Sequence, residues 1–454
     1  MMTSFLHTSL FFVVALAILI AFHEFGHFWV ARKLGVKVIR FSIGFGKPIH
    51  RFQKDSRSTE FVIAAIPLGG YVKMVDEREG EVSPEDLPHA FNRQSLVTRA
   101  AIVLAGPLFN LFLAVLIFWA ILVSGETGIR PLLGDVEANT IASRSGFEKG
   151  EEVLEVDGEK TPTWNHAIAA ILAKVVDSQE IPVKVRAVDG STAIRILMIS
   201  EQQASNPASL ADELGFRSPD PKVPPRINDI TENSPAAKAG IEPGDLILSA
   251  NGIKILGPSQ FVEIIRANPA MPIQTVLERN GLERSIELIP EAIHSKNAVV
   301  GRIGASVGIP AGSMDYLRVE YKLGLLSALS ASIAKVTDFS VLTIKMLGKM
   351  LIGHASVENL SGPISIAKYA GESATMGLVH FLKFIAIVSI SLGVLNLMPI
   401  PILDGGHLLF IVIEGLKGKP LSEHAQLIGQ QVGMALLICL MVLAFYLDIE
   451  RLVQ

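Results

Sequence analysis

Apolar positions gather into four long runs, roughly residues 9–31, 101–124, 376–397 and 427–447, with mixed polar and apolar stretches between them. A spanning helix needs about 20 mostly apolar residues, so each run predicts a transmembrane helix. The first run lacks the basic start and small-residue cleavage site of a signal peptide. Its apolar character continues past residue 27, which predicts a retained span. Residues 316–353 are apolar only at intervals, and Lys322, Lys335, Asp338, Lys345 and Lys349 interrupt them. Charge spread so evenly predicts an amphipathic helix pair on or near the outer membrane surface, or else a helical linker to the third span.

Composition agrees with a membrane protein carrying soluble parts. Half of the 454 residues are hydrophobic and 19% are charged, and the mean hydropathy is +0.44. A formal net charge of −4 offers no basic face for nucleic acid. The single cysteine, Cys439, excludes an intramolecular disulfide. Charge also sets orientation. Eight basic residues (Arg32, Lys33, Lys37, Arg40, Lys47, Arg51, Lys54 and Arg57) face two acids between Arg32 and Glu60. The positive-inside rule makes that loop cytoplasmic, and Arg93, Arg99, Lys417 and Lys419 agree. Both termini and the stretch from about 125 to 375 then face outward.

The outward stretch repeats itself. Residues 131–158 and 225–252 match at a constant offset of 94, sharing Asp135/Asp229, Asn139/Asn233, Gly146/Gly240, Gly150/Gly244 and Gly158/Gly252. The glycines recur where turns need positive φ. Two tandem domains of about 90 residues fit the repeat. The run SPAAKAGIEPGDLILSANG resembles the PDZ core motif. The first copy is degenerate, with Glu151 in place of the usual acid, and LGF at 214–216 and VGI at 307–309 resemble a circularly permuted PDZ arrangement. Such domains bind peptides beside an exposed strand; a shielding or spacing module is the plainer reading.

Chemistry enters at residues 23–27, HEFGH, inside the first span. Two histidines four apart share one helix face about 6 Å apart along the axis, which suits two imidazoles on one metal. Glu24 beside them is placed to serve as general base toward an attacking water. Ionisable groups within a span cost about 2.5 kcal/mol or more each and mark function. Residue 23 lies about 14 residues, or about 21 Å, past the outward end of its span, towards the cytoplasmic third of the membrane. A pair of core histidines hydrogen-bonded to Glu24 would need partners that this apolar chain scarcely offers. Catalytic zinc takes three protein ligands, so a third is expected from another span. NLMPIPILDGGH, residues 396–407, offers Asp404 among Pro399, Pro401, Gly405 and Gly406, which break the helix; His407 is the rival ligand.

HEFGH in the first span with N-x-x-P-x-P-x-LDGG in a late one resembles the site-2 protease family of intramembrane zinc metalloproteases. The PDZ-like repeats, FSIGFGK (41–47), IPLGGYVKM (66–74) and NLSGPISIAK (359–368) narrow the likeness to its bacterial, sigma-E-regulating members. The resemblance covers nearly the whole chain. It implies one zinc ion per chain on His23, His27 and Asp404, with Glu24 as the catalytic glutamate. It also implies substrate positioning by Asn396 and a membrane-reentrant β-hairpin at about 60–74. Substrate contacts are then expected at Ile66, Pro67, Leu68, Gly69, Gly70 and Tyr71. An unwound substrate strand added to that hairpin's edge would satisfy its own backbone groups. AGPLFN, residues 105–110, reads as close packing or backbone positioning.

The expected fold is therefore an α-helical polytopic membrane protein with four spans, a membrane-associated β-hairpin or sheet and two inserted tandem PDZ domains. Its divisions are 1–124 (membrane), 125–220 and 221–312 (PDZ), 313–375 (amphipathic linker) and 376–454 (membrane). The resemblance implies an inner-membrane location and, as substrates, single-pass proteins: a trimmed anti-sigma factor and signal-peptide remnants. A metal transporter would predict inverted repeats of spans and a polar path across the membrane. A catalytically idle PDZ receptor would tolerate loss of Glu24.

Overall fold

In the computed structural model the described residues are all but 1, 56–57, 176–178, 201–202, 204–209, 211–212, 218, 220–221, 296–297, 311, 353–360 and 454. The chain divides into two compact units, Met1–Glu126 with Tyr321–Gln454, and Thr127–Glu320.

The first unit is built on α1 (Met2–Lys33) and α2 (Leu96–Ser124), with the paired strands β1 (Val38–Phe52) and β2 (Glu60–Met74) between them. It continues with α3 (Leu325–Leu351), α4 (Pro363–Thr375), α5 (Leu378–Leu397), α6 (Asp404–Lys417) and α7 (Glu423–Val453). Among the described residues five helices are long and apolar enough to cross a membrane, not four; the addition is Leu325–Met350. The helix pair expected over 316–353 is instead one continuous helix, α3, preceded by a short strand, Arg318–Tyr321. Its charges did not force it apart. Val336 is buried with Ala114 and Phe118 of α2 and with Ala386, Ile390 and Val394 of α5. Lys335 lies over the Phe118 ring, 4.7 Å from its centroid, where the aromatic face offsets part of the ammonium's lost hydration.

Small residues let these helices meet. A Cβ on Gly26 of α1 would stand 2.5 Å from the Ala105 carbonyl oxygen of α2, and one on Gly393 of α5 3.0 Å from the Pro107 oxygen. With lipid outside, such close backbone approach supplies the packing that holds spans together. α2 is thus gripped on both sides around residues 105–110.

The strands depart from the expected hairpin at 60–74. Residues 60–64 and 70–74 do not pair with each other; residues 40–43 have partners on both sides, with Phe41 opposite both Val72 and Phe61. Residues 50–52 pair back onto 61–63. The two long strands fold over into four short ones in the order 70–74, 38–43, 60–64, 48–52. The folding point in β1 is Gly44 (φ +91°), where a Cβ would meet the Ile66 carbonyl oxygen at 2.8 Å. No local turn signal reports that pairing.

α4 begins at Gly362-Pro363 with no side-chain cap of its own. Its first amides are taken by Asp448 from α7, whose carboxylate accepts from the N–H groups of Gly362 (3.1 Å), Ile364 (2.9 Å) and Ser365 (3.1 Å) and from Ser365 Oγ. A carboxylate suits the positive end of a helix and satisfies donors that would otherwise be stranded. In NLSGPISIAK, the segment 353–360 that contains Asn359 lies outside the described residues; the rest forms this capped start.

In the second unit the sequence repeat is also a structural one. Helices Ile141–Arg144 and Pro235–Lys238, strands Glu152–Val156 and Leu246–Ala250, and helices Trp164–Val175 and Pro258–Ala267 begin at the 94-residue offset. Gly146, Gly150 and Gly158, and their counterparts Gly240, Gly244 and Gly252, all take positive φ, as the turns required. The acids at 151 and 245 play one part. Glu151 accepts the Glu148 N–H at 3.0 Å, and Asp245 accepts the Glu242 N–H at 2.9 Å. Their arginines come from different strands. Arg279, on Ile273–Arg279, grips Asp245 with two bonds of 2.7 Å. In the first copy Arg186 is engaged by Glu152 (2.9 Å), and Glu151 takes Arg195 (2.6 Å) from the next strand, Thr192–Met198. Substituting Glu for Asp therefore moved the ion pair rather than abolishing it.

Two outcomes follow for stability. Asp448→Ala is expected to cost about 1–3 kcal/mol in reversible unfolding in mixed micelles, because buried donors lose their acceptor; Asp448→Asn should cost less. Burial alone would raise the Asp245 pKa, but Arg279 and the Glu242 N–H outweigh it and hold it below the usual carboxylate range. A lowered native pKa gives stability that is complete above the unfolded value of about 3.9 and is lost as pH falls through the native value. Amide exchange in strands 246–250 and 273–279, corrected for its intrinsic rate, should therefore report easier opening below about pH 4. Asp245→Asn should flatten that dependence.

Candidate metal centre and active site

α1 carries His23, Glu24 and His27 on adjacent turns, and α6 opens with Asp404. The turn before α6 is unusual. α5 stops at Leu397, Ile402 takes φ +111°, and Pro401 bridges Leu403. Positive φ is strained for a β-branched residue, so packing must enforce it. The glycines show how. A Cβ on Gly405 would stand 2.2 Å from the Met398 oxygen, one on Gly406 2.3 Å from the Ile400 oxygen, and one on Gly433 of α7 would overlap the Pro401 oxygen. The turn is clamped backbone to backbone, and it brings Asp404 to the two histidines.

The three donor atoms form a nearly equilateral triangle. His23 Nε2 and His27 Nε2 are 3.3 Å apart, and Asp404 Oδ2 lies 3.2 Å from the first and 3.5 Å from the second. Zinc bonds of about 2.0–2.1 Å at tetrahedral angles would set such atoms about 3.3–3.4 Å apart. The residues present therefore fit a tetrahedral ion with one corner left for a reactant. His27 Nδ1 stands 2.8 Å from the Ile102 carbonyl oxygen of α2, which takes the Nδ1 proton and leaves Nε2 its lone pair. His23 Nδ1 faces the side-chain amide of Asn110, 3.2 Å away. Gly106 makes the room, since a Cβ there would stand 2.2 Å from His27 Nε2 and 2.8 Å from His23 Cε1.

Glu24 is buried and outside the triangle. It lies against the strand 70–74, where a Cβ on Gly70 would be 2.9 Å from Glu24 Cγ. A cavity of about 810 Å³ joins these groups and is also lined by Gly70, Tyr71, Val72 and Met74. Its lining also carries charge, with Arg99 of α2 held by Glu414 of α6 at 2.5 Å.

Of the residues expected to contact substrate, Gly70 and Tyr71 line this cavity, while Ile66, Pro67 and Gly69 lie on β2 outside its lining. Tyr71 stacks on Phe45. The side chain of Leu68 lies outside the described residues. Asn396 is in the last turn of α5 and is not among the lining residues. His407 lines the cavity but is not one of the three clustered donors. Sequence reasoning missed Gly106, Asn110 and the Arg99–Glu414 pair. Asn110 was findable, being a polar residue in the middle of a span, the signal that exposed HEFGH.

Helix propensity favours Ala over Gly at position 106 by about 1 kcal/mol. Gly106→Ala is nonetheless expected to weaken zinc binding roughly tenfold or more, because its methyl would occupy the ligand face. Gly348→Ala on α3, which meets nothing within 4 Å, should leave it unchanged. Competition with a chromogenic chelator measures both.

Known proteins resemble this arrangement along its whole length. Peptidase family M50 matches residues 11–440. The Escherichia coli "Regulator of sigma-E protease RseP" is 41% identical over 99% of this chain and 100% of its own length. Its Salmonella typhimurium counterpart is 40% identical over 97% of this chain and 98% of its own. A Vibrio cholerae relative whose name calls it a zinc metalloprotease is 38% identical over 99% of this chain and 100% of its own. Among solved structures, a PDZ domain of an SdrC-like protein from Listeria monocytogenes aligns over 18% of this chain and 86% of its own, at 19% identity and a TM-score of 0.17. By the family match and the full-length identities, the chain belongs to peptidase family M50, the site-2 proteases, and is a zinc metalloprotease of that type.

Proposed function

We propose that this protease cuts single-pass membrane proteins within or near the bilayer, with His23, His27 and Asp404 holding one zinc ion per chain and Glu24 as general base. The observation that carries the reading is the triangle of donor atoms with 3.2–3.5 Å sides, fitted to tetrahedral zinc. When bound, zinc supplies Lewis acidity that makes water more acidic and the scissile carbonyl more electrophilic. Glu24 takes the proton from the attacking water as its oxygen bonds to the carbonyl carbon. It then delivers that proton to the amide nitrogen as the C–N bond breaks, so the products are a carboxylic acid and an amine.

A helical substrate hides its peptide bonds in its own hydrogen bonds and must be unwound first. The strand 70–74 is at one margin of its sheet, next to the cavity and the base. A substrate strand added there would keep its backbone groups paired while one bond stands exposed to attack. Gly70 and Tyr71 are the first candidates for contact; Ile66, Pro67, Leu68, Gly69 and Asn396 would shape the approach from farther out.

The natural substrates in this reading are a trimmed anti-sigma factor of an envelope stress response and remnant signal peptides. Of the five apolar helices, four cross the inner membrane with α3 packed beside them, and the termini and both PDZ repeats face the periplasm. Residues 125–220 and 221–312 screen out untrimmed proteins by bulk, and 313–375 connects them to the later spans.

Purified protein should cleave a trimmed single-pass substrate in detergent or liposomes. Glu24→Gln should retain about one zinc per chain and lose roughly 10²–10⁴-fold in rate. His23→Ala, His27→Ala and Asp404→Ala should each lose the metal. Equal cleavage by wild type and Glu24→Gln would remove the site from HEFGH altogether.

A further inference from the structure

Gln430 is a neutral amide inside an apolar helix, within the candidate span His424–Arg451 of α7. A polar group at such a place needs a partner inside the protein. Its neighbour one turn back has one: Gln426 Nε2 donates to the Leu421 carbonyl oxygen at 3.0 Å. The half-buried Gln430 side chain has none among the described residues. It lines the cavity that also holds His23, Glu24, His27 and Asp404.

The clamp that aims Asp404 also aims Gln430. Gly429 packs on Phe410 and Pro401, and Gly433 meets the Pro401 oxygen, so α7 is seated on the turn before α6. Residues 426, 430 and 433 are four and three apart and share one side of the helix. The amide is therefore held beside the reacting groups by backbone contacts and left with its hydrogen bonds unmade.

The same cavity is lined by Gly70, Tyr71, Val72 and Met74. Their strand pairs with 38–43 along one edge and has no strand partner along the other among the described residues. A strand laid on that free edge would bond to it through every second residue only. The N–H and C=O groups of the intervening residues would point away from the sheet. A primary amide offers an acceptor and a donor side by side, which matches the N–H and C=O of one extended residue.

Resting on the reading that substrate is added to strand 70–74, we propose that Gln430 binds substrate backbone. Its Oε1 accepts from the N–H, and its Nε2 donates to the C=O, of one residue on the edge turned away from the sheet. The group recognised is the peptide unit and not a side chain. A helical peptide uses both groups internally, so Gln430 selects chains that have already been unwound.

The test uses the full chain in detergent and a synthetic trimmed single-pass substrate. In a companion series one amide at a time, other than the scissile one, becomes an ester and so loses its N–H. Gln430→Met keeps the side chain's length without its amide and should lower kcat/KM about tenfold, with zinc affinity unchanged. Gln431→Met, one residue on and outside the cavity lining, should stay within about twofold of wild type. One ester should cost the wild type several-fold yet leave Gln430→Met nearly unaffected, a non-additivity that altered helix packing would not produce. Gln430→Met cleaving the parent substrate as well as wild type overturns the inference, as does an ester series that costs both proteins alike. If the methionine variant does not fold, the wild-type series decides. Sensitivity at neighbouring positions supports a partner on each edge, and sensitivity at every second position alone overturns it. If the wild type does not cleave, or Glu24→Gln cleaves equally, the underlying reading of the active site fails instead.

Discussion

The membrane unit is governed by one constraint: a polar group among apolar helices must find its partner inside the protein. Most of the polar groups described there are met by another element, though Asn110 Oδ1 has no hydrogen-bond partner among the described residues. His27 is met by the Ile102 carbonyl, His23 by Asn110, Arg99 by Glu414, and Asp448 by the bare amides of α4. Lys383 of α5 pairs with Glu126 just beyond α2. Each bond ties helices that are distant in sequence, so the same pairs that solvate the charges fix the helix positions to within the tolerance a metal site needs.

Glycine sets the other half of that tolerance. Gly26, Gly106, Gly393, Gly405, Gly406 and Gly433 all sit where a methyl would strike backbone or a ligand ring. The glycines of LDGG pack the strained turn at Ile402 rather than merely loosening it. A flexible loop could deliver a carboxylate to the right region; a clamped one holds it within a few tenths of an ångström of a tetrahedral corner.

Much of this was legible from sequence because it is written in local patterns. Four spans show as apolar runs, HEFGH shows as charge where none belongs, and the tandem repeat shows as recurring turn glycines whose positive φ the fold requires. What was hidden depends on distant pairing. The strands 60–64 and 70–74 flank a third segment rather than each other, which no periodicity reports. The charges of 325–351 argued against a bundle helix because their partners, such as the Phe118 ring under Lys335, lie more than 200 residues away in sequence. The acid at 151 looked like degeneracy until the displaced arginine came into view. Asn396, singled out by its motif, is not in the cavity lining, whereas Asn110, set aside as packing, touches a proposed ligand.

The proposed ligands come from opposite ends of the chain, two on the first helix and one on the sixth of the membrane unit. A ribosome delivers them in that order, and domains generally fold as they emerge. While α6 is still unmade, the nascent protein displays two imidazoles and a glutamate but no third donor, and the turn that aims Asp404 has nothing from α7 to brace it. With those ligands, hydrolytic competence would arrive only once α6 and α7 have been made, after both repeats of the second unit. A protease of this type would by that arrangement be unable to cut its neighbours while α6 is still unmade.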